Sequence, residues 1–273
     1  MTGQDSKAGQ DAATAPTEAK AAAAPTMDRL APLAPNAWLR YDVVRRMLPA
    51  EARDVLEIGC GQGAVGVRLA AERNYLGLEP DPTSFAVAEQ RIALGGRGEV
   101  RNTRVESLGP GERFDLVCAF EVLEHIEDDE GALKEWAARL RPRGWLLLSV
   151  PAHQKRYAPF DELVGHFRRY DQEPMRALLT RVGFTDVVMR EYGMPLGFVL
   201  EAGRNQVGKR RLASTSAGNA SMEERTTGSG RLLQPRSALQ GAVIRLGTAP
   251  FRYAQRGFPR TGTGLVVRAR LAD

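Results

Sequence analysis

The sequence predicts an α/β fold in which a parallel sheet carries helices on both faces. From Asp54 onward, short β-branched apolar runs alternate with segments whose apolar residues recur at helical spacing. A glycine-rich turn joins the first of these runs to the segment that follows it. The run Trp145–Val150 is almost entirely apolar, as is typical of a strand buried on both faces of a sheet.

The chain before this pattern predicts a tail and one helix. Residues 1–35 are mostly Ala, Thr, Pro, Gln and Lys, and they contain too little apolar surface to offset the entropy of ordering. We expect a disordered tail there. Asn36 is the expected cap of a first helix, because Trp38, Tyr41 and Val44 follow it at helical spacing.

The alternating elements follow in order, each defined by its own apolar pattern. The expected strands and helices are Val55–Ile58, a helix through Val65–Ala70, Tyr75–Leu78, the helix Thr83–Leu94, a weak strand Val100–Val105, Asp115–Phe120, the helix Leu133–Leu140 and Trp145–Val150. We expect Arg141–Gly144 to close the last of these helices.

The second half has fewer signals. We expect the helix Asp171–Val182, the strand Asp186–Arg190, helices at Phe198–Leu212 and Ala238–Leu246, and a closing strand Leu265–Leu271. The expected organisation is one domain at 36–273, in which residues 193–262 form an insertion or cap with a flexible loop at 214–230.

The charge and the cysteines exclude several classes of protein. Lys and Arg number 38 against 33 Asp and Glu, but residues 1–150 carry a net −5 and residues 151–273 a net +10. Cys60 and Cys118 are too few and too far apart for a disulfide framework or a zinc site. Neither a membrane-spanning run nor the apolar core of a signal peptide is evident, so we expect a cytoplasmic protein.

The most informative motif joins the first strand to the next helix. Gly59, Gly61 and Gly63 lie where backbone has to turn tightly and approach a ligand. The helix that follows directs its amide groups toward such a ligand. Glu79 lies at the end of the next strand, 20 positions after Gly59, where a carboxylate can accept both hydroxyls of a ribose.

Two cofactor classes compete for this motif. Gly61, Gly63 and Gly66 fit the Gly-x-Gly-x-x-Gly string of a dinucleotide site. Glu57, two residues before the first glycine, favours the cationic end of S-adenosylmethionine and is unfavourable beside a pyrophosphate. A nicotinamide-dependent oxidoreductase is therefore the alternative from another class, and a non-catalytic cofactor-binding subunit is a second alternative.

Four stretches together resemble the class I S-adenosylmethionine-dependent methyltransferases of bacterial small-molecule type. They are Val55–Gly63, Leu78–Pro80, Phe114–Ile126 and Leu140–Pro151. The resemblance implies a Rossmann-like sheet of seven strands with the last antiparallel, and S-adenosylmethionine as cofactor. It also implies that Glu57, Gly59, Gly61 and Gly63 hold the methionine end, that Glu79 binds the ribose, and that Phe120 and Glu121 line the cleft.

One position departs from the family pattern. The family usually has an Asp after the third strand that meets the adenine amine, whereas Arg104 stands there in this sequence. Because a guanidinium accepts no hydrogen bond, backbone, Glu106 or apolar stacking has to read the adenine instead.

The three histidines are the candidate acid–base groups. His125, His153 and His166 all follow predicted strands, at the ligand-binding edge of an open α/β sheet. We select His166 and His153 as acid–base or substrate-contacting residues, with Asp161 able to orient His166. Arg168 and Arg169 are expected to pair either with an acidic substrate group or with Asp171 and Glu173. No Asp, Glu or His cluster has ligand spacing, so we predict no metal.

The basic charge of the C-terminal region indicates which partners the protein could bind. Residues 201–273 hold 13 Lys or Arg against four acids, with an apolar stretch before Lys209–Arg211. A peripheral contact with the inner membrane face, an acidic substrate, and a merely solvated surface all remain open. No firm nucleic-acid signal is present. We expect a small-molecule or lipid-linked, sugar-bearing substrate, with the insertion as its cap.

Overall fold

The computed structural model describes residues 31–95, 97–214 and 237–273, and in them one sheet of seven strands. The strands are β1 (Asp54–Ile58), β2 (Asn74–Leu78), β3 (Glu99–Arg101), β4 (Phe114–Phe120), β5 (Leu140–Pro151), β6 (Phe184–Gly193) and β7 (Gly262–Leu271). Their order is β3-β2-β1-β4-β5-β7-β6, and β7 is antiparallel to both of its neighbours. The predicted seven-stranded sheet with an antiparallel last strand is therefore confirmed.

Helices cover both faces of the sheet. They are α1 (Pro35–Met47), α2 (Gly66–Ala70), α3 (Pro82–Gly95), α4 (Asp129–Ala138), α5 (Pro159–Val164), α6 (Gln172–Val182), α7 (Leu196–Ser214) and α8 (Ala238–Ala254). Both α7 and α8 lie between β6 and β7, so the helical insertion is where the sequence predicts it. In the part of the chain that the structure describes, no helix combines the length and the apolar character needed to span a membrane.

The side chains of neighbouring residues in each central strand pack on opposite faces of the sheet, because side chains alternate along a strand. Val55 joins the cluster that includes residues of α1 and α3, whereas Leu56 joins the cluster that includes residues of α4 and α6. Leu116 and Val117 divide in the same way. With both faces covered, the carboxyl ends of β1, β2, β4 and β5 form the exposed edge on which ligands bind in this architecture.

The start of the domain differs from the prediction. The N-cap of α1 is Ala34, which makes no side-chain cap, and Asn36 lies inside the helix behind Pro35. A proline at the first helical position is itself a start signal, because its missing N–H has no partner to lose there. Ala31 and Leu33, which we assigned to the tail, are buried in the core. Residues 1–30 lie outside the described residues, as does the predicted loop 214–230 after its first residue.

Two element boundaries also differ. β5 begins at Leu140 and includes Arg141–Gly144, which we expected to be a turn, because Leu140 already pairs with Phe114 before a register shift. β3 ends at Arg101, and Val105 lies in a short 3-10 turn rather than in the strand. These residues lie where the sheet pairing is short or irregular, and apolar periodicity alone cannot locate such limits.

Candidate functional site

The loop between β1 and α2 is a glycine turn at the carboxyl edge of the sheet. Gly59, Gly61 and Gly63 all have positive φ, at 65°, 55° and 72°. A Cβ on Gly59 would lie 2.7 Å from Val122 Cγ2, and one on Gly63 would lie 3.1 Å from Ala88 Cα. Around Gly61, in contrast, a Cβ would meet no atom within 4 Å. The loop is thus packed on both sides and open at its middle, so that a ligand can approach the backbone there.

Glu79 ties this loop to the end of β2. Its carboxylate accepts hydrogen bonds from the backbone N–H of Gly61, at 2.7 Å, and of Asp81, at 2.9 Å. The Asn102 side chain donates to the Glu79 carbonyl oxygen and holds the end of β3 beside it. The two hydrogen bonds from Gly61 and Asp81 fix the carboxylate at the carboxyl end of β2, where the family resemblance places the ribose hydroxyls.

Glu57 lies beneath the loop and is almost fully buried. Its Oε2 accepts a hydrogen bond from Tyr75 Oη at 2.7 Å. Burial raises the pKa of Glu57 to about 7, although the Tyr75 hydroxyl and the Arg40 guanidinium act in the opposite direction. The carboxyl group is therefore partly protonated near neutral pH, and a cation beside it would favour its ionised form. That it meets the cationic end of a cofactor stays a prediction.

Glu121 follows β4 in a left-handed conformation, with φ of 59°. Its Oε1 accepts hydrogen bonds from Ser149 Oγ at 2.9 Å and from Tyr192 Oη at 3.1 Å, and Arg40 Nη1 lies 3.5 Å away. Burial alone would raise the pKa of Glu121, but Arg40 and the two hydroxyls outweigh it and the pKa is lowered. Phe120, the other residue expected in the cleft, is mostly buried in the same cluster as Val55.

Glu124, three residues after Glu121, lies in a different environment. The side chain is fully buried, and neither carboxylate oxygen has a hydrogen-bond partner. Burial first, and then the charge of Glu121, raise the pKa of Glu124 well above its usual range. The raised pKa favours the protonated form of Glu124, beside an ionised Glu121.

Glu124, His125 and His166 meet in one cluster. One nitrogen or oxygen from each lies within 4.8 Å of the others, and the two imidazole rings stack edge to face with centroids 4.7 Å apart. Burial and the neighbouring His166 lower the pKa of His125 to about 4, so its ring is neutral near pH 7. Ligand spacing along the sequence does not indicate this cluster, because His166 comes from a distant segment. Two imidazoles and a carboxylate are donors that a divalent cation accepts, and the absence of a metal stays a prediction.

The segment around α5 holds His166 in place. Its Nδ1 lies 2.8 Å from Asp161 Oδ1, as the sequence predicts. Arg169 Nη2 donates to the same carboxylate at 2.7 Å, and Arg169 also pairs with the buried Glu201. Burial would raise the pKa of Asp161, but His166 and Arg169 lower it, so the carboxylate is ionised. An ionised acceptor at Nδ1 favours the tautomer that carries its proton on Nδ1.

The two arginines of this segment have other partners than we expected. Arg169 binds Asp161 and Glu201, and Arg168 binds Asp129 at 2.7 Å. The expected partners in the protein, Asp171 and Glu173, belong to the next helix start. Both arginines pair with residues of other elements, and closeness along the sequence does not predict such partners.

His153 lies apart, on the wall of a cavity of about 620 Å³. Its Nε2 is 3.1 Å from Glu191 Oε2, and Gln172 donates to the other oxygen of that carboxylate. Lys155, Arg156, Phe198, Arg260 and Thr261 also line the cavity, together with Asp171, Glu191 and Gly262. The structure thus places His166 beside the ends of β4 and His153 beside the ends of β5 and β6.

A family model described as a methyltransferase domain matches residues 27–188. The chain belongs to this methyltransferase family. The match covers more than half of the chain and ends within β6, so the insertion with α7 and α8 lies beyond it.

Individual relatives agree with the family. The methyltransferase is 39% identical over 106 residues to a ubiquinone biosynthesis O-methyltransferase of Methylobacterium nodulans, which covers 37% of this chain and 41% of that protein. It is 34% identical over 164 residues to a protein of Mycobacterium tuberculosis named probable S-adenosylmethionine-dependent methyltransferase, covering 56% and 58% of the two chains. The chain thus matches less than two thirds of the length of these curated relatives.

Solved structures share the fold. The YcgJ protein of Bacillus subtilis has a TM-score of 0.56 at 16% identity, covering 87% of this chain and 99% of that one. A phosphoethanolamine N-methyltransferase of Haemonchus contortus in complex with S-adenosyl-L-methionine has a TM-score of 0.53 at 17% identity, covering 87% and 53%.

Several residues of the site were missed by sequence reasoning. Arg40 comes from α1, Tyr192 from the end of β6, and both surround Glu121. Neither lies in a motif, and no local pattern marks them. Arg104, the departure from the family pattern, is exposed and precedes the 3-10 turn at Val105. The adenine contact is left open at that position.

Proposed function

We propose that this methyltransferase moves a methyl group from S-adenosylmethionine to a small-molecule acceptor or to one linked to a lipid or sugar. The observation that carries the proposal is the glycine turn, packed at Gly59 and Gly63 but open at Gly61, and tied by Gly61 to a ribose-binding candidate, Glu79. Family membership and the names of the curated relatives support it. Buried, unpaired Cys60 and Cys118 favour a reducing, cytoplasmic location.

The residues at this edge fit the cofactor. The backbone of Gly59–Gly63 would contact the methionine end, Glu79 the ribose hydroxyls, and Glu57 would supply negative charge below the loop. Phe120 and Glu121 would border the same cleft from the end of β4. S-adenosylmethionine supplies a methyl group already activated on a sulfonium, so the protein has to align the acceptor and remove a proton where the acceptor carries one.

We assign to His166 the role of the base that removes the proton from the substrate. The Nδ1 of His166 is held by ionised Asp161, and the side chain is partly accessible, with 11% of its surface exposed. Nε2 would then take the proton that a hydroxyl group of the substrate loses on methylation. Neutral His125 packs against the ring and fixes its plane.

The cavity beside His153 favours an acceptor with an acidic group and an apolar part. Lys155 and Arg260 supply positive charge at its wall, and Phe198 supplies an apolar surface over which the Arg156 guanidinium lies at 4.8 Å. A phosphate or carboxylate on the acceptor would pair with these cations. His153 is then a substrate contact held by Glu191.

Gly61→Ala tests the cofactor site. The new Cβ meets open space within the protein, but it intrudes on the ligand's approach and strains the left-handed backbone. We expect at least a tenfold weaker S-adenosylmethionine affinity in calorimetry. Gly183→Ala is the matched control, since Gly183 also has positive φ and open surroundings but caps α6. Equal affinities in the two variants would contradict the site assignment.

Transfer itself is measured with methyl-labelled S-adenosylmethionine and fractionated cell extract. Label in a lipid or small-molecule fraction is the expected result. Binding of NADH without binding of S-adenosylmethionine would instead establish the oxidoreductase alternative. Cofactor binding without label in any fraction would favour a non-catalytic subunit.

A further inference from the structure

The outer face of α8 is apolar and exposed along its whole length. At 100° per residue, Leu239, Val243, Leu246, Pro250 and Tyr253 fall within a sector of about 80°. Four of them are among the most exposed large apolar side chains of the described residues, at 76%, 63%, 72% and 75% for Leu239, Val243, Leu246 and Tyr253. We refer to these five residues as the α8 stripe. An exposed apolar stripe of this length marks an interaction surface.

The stripe does not serve the packing of α8 on the domain. The opposite face of the helix does that: Gly241, Thr248 and Gln255 are buried, and Ile244 and Phe251 pack against the core. These positions lie roughly 120° to 200° around the helix from the centre of the stripe. None of the described segments packs over the α8 stripe, although the helix is already anchored.

The charges that α8 and the turn after it carry all have one sign. Residues 237–261 contain four arginines and no Asp or Glu. Arg245 and Arg252 lie about 120° to 140° around α8 from the centre of the stripe, at the edge of the anchored face, and Arg256, Phe258 and Arg260 are exposed after the helix. Arg256 pairs with Asp42 of α1, and Arg252 lies over the Trp38 ring. The excess of positive charge in this region would repel a second copy of the same surface, whereas it would attract an anionic surface.

We propose that α8 docks on an anionic lipid bilayer, with the stripe entering the headgroup boundary and the long side chains of the arginines on and after the helix reaching lipid phosphates. The arrangement is that of an interfacial helix: an apolar face, an aromatic residue near its end, and basic residues beside it. Arg260 and Thr261, just after the helix, line the acceptor cavity. Delivery of a lipid-linked acceptor from that bilayer is an extension that rests on the proposed function.

Co-sedimentation of the full chain with vesicles tests the docking. Vesicles of phosphatidylcholine with 30% phosphatidylglycerol, a composition chosen for its charge (about one anionic lipid in three), are compared with pure phosphatidylcholine. We expect the anionic vesicles to bind the protein at least tenfold more strongly, and that advantage to shrink as salt is raised. Leu246→Glu places a charge at the centre of the stripe, and it should weaken anionic-vesicle binding at least tenfold.

Leu94→Glu is the matched control, because Leu94 is 82% exposed on α3, outside the stripe. It should bind vesicles like the unaltered protein. S-adenosylmethionine affinity and the unfolding midpoint should be unchanged in both variants, which separates failure of this proposal from failure of the proposed function. The proposal is overturned if the unaltered protein binds neither kind of vesicle or binds both equally. It is also overturned if the two substitutions change vesicle binding by the same amount. A dimer that Leu246→Glu dissociates, without vesicle binding, would assign the stripe to a second copy.

Discussion

Three glutamates within one small region show how burial and neighbours give the same side chain different charge. Glu121 has Arg40 and two hydroxyls and a lowered pKa, the Glu124 carboxylate has no hydrogen-bond partner and a raised pKa, and Glu57 has one hydroxyl and a pKa of about 7. The distance of Glu57 from the glycines makes it a candidate, and the family resemblance implies Glu121. The sequence does not identify their ionisation, which depends on Arg40 and Tyr192 from distant elements.

The first residue-scale prediction concerns pH. Because Glu57 is protonated below about pH 7 and a cationic ligand favours its ionised form, S-adenosylmethionine affinity should fall as the pH falls from 7 to 5, by up to about tenfold per unit. Glu57→Gln should bind more weakly at pH 7 and lose this dependence. Calorimetry across pH 5–7.5 measures both. A Gln variant whose affinity follows the same pH curve as the unaltered protein would show that another group titrates.

A second residue-scale prediction separates the two histidines. His166→Ala should lower kcat by roughly 10²- to 10⁴-fold while S-adenosylmethionine affinity is retained, since it removes a base and no cofactor contact. His153→Ala should instead raise KM for the acceptor, because His153 lies on the cavity wall. Steady-state kinetics with a fixed acceptor measure the two effects. Unchanged turnover in His166→Ala would remove His166 from the mechanism.

At the scale of elements, α1 and α8 act as one unit although about 200 residues separate them along the chain. Gln255, at the end of α8, donates to the Leu39 carbonyl oxygen at 2.9 Å and accepts from the Gly193 N–H at 3.0 Å. It therefore joins α1, α8 and the end of β6. The sequence predicts both helices from their apolar spacing, but it places the end of α8 eight residues too early. The reason is that Pro250, a usual helix breaker, lies inside a helix whose last turn is fixed by tertiary contacts.

Gln255→Leu tests this connection. The side chain is only 2% exposed, and its loss leaves the buried Gly193 N–H without its partner and removes the bond to α1, which costs about 1–3 kcal/mol of unfolding free energy. Urea denaturation followed by circular dichroism measures the difference. Gln206→Leu, at an exposed position of α7, is the control and should change the unfolding free energy by less than about 0.5 kcal/mol. Equal stabilities would show that Gln255 does not hold the helices together.

For the whole molecule, β7 connects the closing part of the chain to the site. It pairs with β5 on one side and β6 on the other. Gly264 of β7 lies against the ring of Tyr192, whose hydroxyl donates to Glu121. The strand sequence Leu265–Leu271 predicts a closing strand, and the family resemblance predicts its direction. Its contact with the site depends on packing that no local pattern contains.

Gly264→Ala is the corresponding prediction. Its methyl group would lie 2.2 Å from Tyr192 Cζ, so the ring has to move away from Glu121. Overpacking of this kind costs about 1–3 kcal/mol of unfolding free energy, and kcat should fall with it. Gly111→Ala, where a Cβ meets no atom within 4 Å, is the control for both measurements. Loss of stability with full activity would show that Tyr192 does not position Glu121.

The position of β7 also has a consequence for synthesis on the ribosome. β5 and β6 are made before it, yet each pairs with β7 rather than with the other. Until residues 262–271 emerge, a nascent chain therefore carries open edges on β5 and β6, and unpaired edges invite association between chains. The long insertion with α7 and α8 lengthens that interval, because it is translated in between. We expect this protein to depend on chaperones during translation more than its size suggests. We also expect chaperones to retain a chain in which β7 cannot pair with β5 and β6.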